Sequence, residues 1–243
     1  MRVVRIIRAE LLKLRRNPLW LAFFVLPLFP AFFGTVNYMN NLEILQKGWY
    51  SLWTQHTLFS CYFFLPLVVG VYCACLWRME HSGHNWNQTL SLPVKRASLV
   101  LSKLSLALVM SAAMLGWTFL LYILCGLLCG IDRALPPELL EWFICGLAGA
   151  AAICAVQLFL SLVLRSFAAP VGLAMVGGVL GLMMLAKDLA LWCPYSLLCL
   201  GMRANNPELE ISYAPFLISC AAFTLLFTAA SVLYLRLRDV QAA

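Results

Sequence analysis

Six stretches of this chain are each long and apolar enough to cross a lipid bilayer, and little between them is long enough to fold by itself. A spanning helix needs about 20 mostly apolar residues, and such runs occur at about 19–36, 57–77, 104–128, 142–164, 169–186 and 213–235. Of the 243 residues only 11% are charged, whereas a soluble domain carries about 25%. In hydrocarbon every backbone N–H and C=O must pair within the structure, which leaves helices or a closed barrel. Unbroken apolar runs select helices. The expected fold is an all-α integral membrane protein with six transmembrane helices, a single domain over 1–243 with no separate soluble part.

The N-terminus is basic and then apolar, as in a signal peptide, but no small-x-small cleavage site follows Phe33 and further spans come later, so the first span is read as uncleaved. Val4, Ile7, Leu11 and Leu14 share one helical face over 2–16, with Arg5, Arg8, Arg15 and Arg16 gathered on the other. This describes an amphipathic interfacial helix over 1–17, apolar face in the acyl boundary and basic face on anionic lipid. A nucleic-acid-binding arm is the weaker reading in so apolar a chain. Asn17-Pro18 ends that helix, and Pro27 and Pro30 are expected to kink the first span.

Orientation follows from Lys and Arg. With the N-terminus inside, thirteen of the 17 face inward (Arg78, Lys95, Arg96, Lys103, Arg165, Arg236 and Arg238 among them) and four outward: Lys47, Arg133, Lys187 and Arg203. This positive-inside bias predicts cytoplasmic termini and an even number of spans. The expected location is a bacterial plasma membrane.

Residues 37–55 are polar and aromatic, and their Trp49, Tyr50 and Trp53 suit a membrane–water boundary. His56, at a span mouth, is read as interfacial. In the fifth span Gly177 and Gly181 form G-x-x-x-G, a spacing that permits close helix packing, within the subunit in preference to between subunits. Residues 189–202 are apolar again but too short to cross, and Pro194 interrupts them. They predict a re-entrant or interfacial segment between helices 5 and 6. Most of the ten Cys lie in apolar runs, where a thiol packs as a small hydrophobe. Cys193 and Cys199 have the placement to pair, with two free thiols the preferred reading.

Several chemistries have no residues to carry them. No span holds an isolated charge at mid-depth, the usual mark of an ion path or proton relay. Gln157 is the most polar residue within a span and is expected to hydrogen-bond between helices. There is no G-x-x-x-x-G-K-[ST] phosphate loop. His81 and His84 form H-x-x-H, but only Glu80 stands near as a third ligand, so they read as solvated loop residues. Neither a catalytic group, a bound cofactor nor a metal is expected, and a membrane-bound enzyme is the least favoured class.

One basic loop stands out between two apolar runs, residues 78–97, reading RMEHSGHNWNQTLSLPVKRA. Residues 84–91 have the length of a short helix presenting Trp86 and Leu90, four apart, on one side. Such a face suits a groove on a partner and equally suits the inner leaflet. Spacing alone leaves both open.

The basic start ending in RRNPLW, the Trp/Tyr-rich first outer loop and, above all, E-x-x-G-x-x-x-N-x-x-LSLPVKR at 80–96 resemble permease subunits of type-2 ABC exporters, within them the lantibiotic-immunity branch. The resemblance spans essentially the whole chain. It implies that residues 80–92 carry a coupling helix, with Glu80, Trp86, Leu90 and Leu92 toward a separate ATPase that binds ATP and Mg. It implies two ATPase copies and a second permease, identical or diverged. Residues 37–55 and 189–212 would face a cationic peptide, with Trp49, Tyr50, Trp53, Trp192 and Tyr195 as candidate contacts. Membrane lipids are expected partners and nucleic acid is not. ATP-driven closure would move the coupling loops, tilt the spans and expel an antimicrobial peptide from the outer leaflet. Alternatives are the same fold exporting a drug, a lipid or polysaccharide precursor or sodium, and a membrane scaffold without transport.

Overall fold

The computed structural model describes residues 19–81 and 95–237, and every regular element among them is helical. Six helices have the length and apolarity of a membrane span: α1 (Leu19–Asn40), α2 (Trp49–His81), α3 (Arg96–Leu128), α4 (Leu139–Val163), α5 (Ala168–Leu185) and α7 (Tyr213–Leu237). A short helix, α6 (Pro194–Gly201), stands between the last two, behind a single 3-10 turn at Ala190–Trp192. The interfacial helix expected over 1–17, and Trp86, Leu90 and Leu92 of the coupling loop, lie outside the described residues.

Proline shapes the first two spans. In α1 regular helix stops at Val25 and restarts at Leu28, because Pro27 has no N–H to continue the ladder. Pro30 sits in the first turn of the second half, where a missing donor costs nothing. Hence the chain breaks at Pro27 and not at both prolines. In α2, Ser60–Phe64 forms a π-turn just before Pro66. Pro66 cannot bond the Tyr62 carbonyl, and Gly178 of α5 packs against that oxygen, with Pro66 Cγ 3.2 Å from where a Cβ on Gly178 would lie.

Two helices run longer than their apolar stretches. α2 starts at Trp49 and α3 at Arg96, where the sequence predicts spans only from 57 and 104. Residues 49–55 therefore form nearly two turns of helix and not an outer loop. The reason is the same in both places. Hydropathy reads exposure to lipid, whereas Trp53, His56, Ser102 and Lys103 are all buried inside the protein.

α4 is the hub, packing on α2, α3, α5, α6 and α7. With lipid as apolar as leucine, helices associate through close van der Waals packing of small residues. The contact of α4 with α6 shows this best. An added Cβ at Gly149 would lie 2.6 Å from the Leu197 carbonyl carbon, and one at Gly201 would lie 2.6 Å from that of Cys145. Two backbones thus touch through a glycine from each side. α6 is wedged on α4 and α5 without crossing, as expected of a re-entrant segment.

Candidate coupling site

The two ends of the helices differ in charge balance, although Lys47, Arg133, Lys187 and Arg203 lie among the acids of one of them. Arg78, Lys95, Arg96, Arg165 and Arg236 lie at the end that bears the 82–94 connection, here the basic end. Asp132, Glu138, Glu141, Asp188, Glu208 and Glu210 lie at the other, the acidic end.

At the basic end, Lys103 of α3 reaches across to α2. Its Nζ donates to Glu80 Oε1 at 3.2 Å and to the Leu76 carbonyl oxygen at 2.7 Å. It also lies 4.8 Å from the centroid of the Trp77 ring. The side chains of Lys103 and Glu80 are 0% and 1% exposed. A buried charge is tolerated only when paired and hydrogen-bonded, and these contacts supply that. Glu80, expected to face an ATPase, is thus turned inward onto Lys103, leaving no carboxylate surface for a docking contact. The sequence places both residues in or beside a loop and does not reveal their pairing. The signal available was one acid and one lysine on the two flanks of a single turn.

Three further contacts gather helices around the same end. His81 Nε2 lies 3.3 Å from the Ser161 carbonyl oxygen of α4. The Arg78 guanidinium sits 5.4 Å over the Phe167 ring, just before α5. Arg96 Nη1 donates to the Arg236 carbonyl oxygen of α7 at 3.1 Å, a favourable place for a cation because helix C-termini expose carbonyls. The stems of the 82–94 connection are thereby tied to each other and to α4, α5 and α7.

At the acidic end an aromatic cluster fixes α2 against its neighbours. Trp53 stacks on Trp142 at 4.7 Å and meets Phe119 and Tyr122 edge-on at 4.9 Å. Its Nε1 donates to the Met202 carbonyl oxygen at 2.9 Å, and Trp49 Nε1 donates to that of Arg133 at 2.7 Å. Each indole N–H is thus satisfied in the interior. Arg203 Nη2 donates to Glu141 Oε1 at 2.5 Å and Nη1 to the Leu200 carbonyl oxygen at 3.3 Å, so one guanidinium pins the end of α6 to the start of α4.

These placements divide the five aromatic residues expected to face a substrate. Trp49, Trp53 and Tyr195 are buried, while Tyr50 and Trp192 are 38% and 77% exposed. The first three are structural, because their polar atoms are spent on the protein itself. Tyr195 accepts from Gln157 Nε2 at 2.5 Å, so the interhelical bond of Gln157 runs to α6. Gly177 and Gly181 of α5 also face α6: an added Cβ would lie 2.5 Å from the Tyr195 ring and 2.9 Å from the Ser196 nitrogen. His56 is 2% exposed, not interfacial, with Nε2 3.0 Å from Thr35 Oγ1 of α1.

Between the two ends the polar groups are few and neutral: Tyr72, Ser111 and Cys154 share one hydrogen-bonded cluster. Cys193 and Cys199 are both free thiols. Among the described residues no group of three His, Cys, Asp or Glu could hold a metal ion. Residues 6–181 match a family model described as ABC-2 family transporter protein. A comparison with curated proteins finds no match.

Proposed function

The chain belongs to the ABC-2 family of membrane transporter proteins, and from that premise we propose that it is the permease subunit of an exporter that expels cationic antimicrobial peptides from the membrane. The family makes it a multi-pass membrane protein and a transporter component of a generally non-catalytic kind, with an ABC ATPase as the general kind of partner. In our reading the ATPase docks on residues 82–94, with Trp86, Leu90 and Leu92 as its contacts. Two ATPase copies bind and hydrolyse ATP with Mg, and a second permease, identical or diverged, completes the unit.

The observation that carries the reading is the buried Lys103–Glu80 pair. It joins the two stems of the connection, so a push on the loop moves α2 and α3 together. Without such a tie, the push would be absorbed by bending of the loop. The excess of Lys and Arg at this end supports a cytoplasmic placement for it and for both termini. The acidic end then faces outward, where its carboxylates suit a cationic peptide.

The experiment is co-expression with the ATPase encoded nearest in the genome, followed by purification and peptide-sensitivity assays. We expect the ATPase to co-purify and the Trp86→Asp/Leu90→Asp variant to lose either the ATPase or coupled activity. An unchanged complex of unchanged activity would favour a scaffold. Unaltered peptide sensitivity in a deletion strain, with altered sensitivity to a drug or to sodium, would move the cargo and keep the permease.

A further inference from the structure

At the acidic end a cavity of about 520 Å³ opens between the end of α5, α6 and the start of α7. That volume falls within the range of small-ligand sites, about 300–1,000 Å³. Leu182, Leu185, Leu191 and Leu200 give its wall an apolar part, and Asp188 and Glu210 line it as well. Neither carboxylate is in an ion pair: among the described residues the pairs are Glu80–Lys103 and Glu141–Arg203. Among the described residues no Lys or Arg lines the cavity. Lys187 is not on its wall, and Arg203 is engaged by Glu141. Tyr62, 3% exposed, also lines it, and because its hydroxyl donates to the Ala204 carbonyl oxygen at 3.5 Å, its lone pairs are left to accept.

We propose that this cavity is the subsite for the cationic group of an amphipathic ligand, an ammonium with its adjoining aliphatic chain. The chain lies on the leucine wall, where burying each CH2 contributes about 0.8 kcal/mol. The ammonium sits between the two carboxylates, which lack a cation of their own. Backbone geometry fixes one of them: Asp188 has φ 58°, a left-handed conformation that aspartate and asparagine tolerate better than most residues. The proposal rests on the export reading for the outward placement of this end, and it names the chemistry that end would bind.

The test is equilibrium dialysis of radiolabelled dodecylammonium against the chain in phosphatidylcholine nanodiscs, with empty nanodiscs subtracted. Wild type is expected to bind saturably. Asp188→Asn/Glu210→Gln should weaken binding about tenfold or more, and Asn keeps the left-handed backbone. Leu209→Trp, which fills the cavity, should abolish binding without altering charge. Glu43→Gln/Asp132→Asn, at the same end but off the cavity wall, should leave it unchanged. Dodecanol should not compete. Absence of saturable binding overturns the proposal, as does equal binding by the double variant, or competition by dodecanol equal to that of unlabelled dodecylammonium. No ATPase is needed in the assay. Binding that behaves as expected beside absent peptide export sinks the export reading alone, whereas peptide export that ignores the cavity variants sinks this subsite alone.

Discussion

Lys103 and Glu80 lie on different helices, 23 positions apart, yet their side chains meet at 3.2 Å and are shut off from solvent. Such a pair is not a large net source of stability, because both charges have been desolvated. Removing one partner is another matter, since it takes the opposite charge away from a buried one. Lys103→Met and Glu80→Gln should each destabilise the protein, by about 3–5 kcal/mol for the more damaging change. Lys103→Met/Glu80→Leu should recover much of that loss. Thermal unfolding in detergent, followed by the monodisperse fraction, measures the cycle. Additive losses in the double variant would show that the two charges do not act as a pair.

The same variants separate folding from coupling. If the pair ties the stems of the loop together, the recovered double variant still lacks a directional, hydrogen-bonded link between α2 and α3. ATP hydrolysis by the assembled complex should then persist while transport per ATP falls. A double variant with wild-type transport per ATP would reduce the pair to a structural element.

Much of this architecture was legible in the sequence, and the exceptions have a common cause. Apolar runs located all six spans and the re-entrant segment, because lipid exposure is what hydropathy reports. They placed the start of α2 eight residues late and that of α3 likewise eight late, at 57 and 104 against Trp49 and Arg96. Those turns carry Trp53, His56 and Lys103, polar or charged groups satisfied by partners distant in sequence: Met202, Thr35 and Glu80. A partner far along the chain leaves no local signature. For the same reason Trp49, Trp53 and Tyr195 resembled interfacial contacts when they are core residues, and Gly177 and Gly181 gave a spacing without revealing that α6 fills the space.

Glycine to alanine changes should split by position. In α4, an alanine at Gly149 would place its Cβ 2.6 Å from the Leu197 carbonyl, so α6 must shift. Overpacking of this kind costs about 1–3 kcal/mol. In α3, Gly116 has nothing within 4 Å of an added Cβ, so alanine there should stabilise by about 0.5–1 kcal/mol through backbone entropy. Melting temperatures of the two variants should move in opposite directions. A harmless Gly149→Ala would mean that the tight seat of α6 on α4 is not retained in the membrane.

The last prediction concerns Trp53, which combines stacking on Trp142, edge contacts with Phe119 and Tyr122, and a hydrogen bond to Met202. Trp53→Phe keeps an aromatic ring but leaves the Met202 carbonyl without its indole donor, and should cost about 1–3 kcal/mol. Trp53→Ala adds a cavity and should cost about 3–5 kcal/mol. Because Met202 follows directly on α6, Trp53→Phe should also loosen that helix. Labelling of Cys199, one turn earlier in α6 and now fully buried, by a membrane-permeant maleimide should therefore quicken in Trp53→Phe, measured in a background whose other cysteines are replaced. Labelling as slow as in the parent would show that Trp53 packs against α6 without holding it in place.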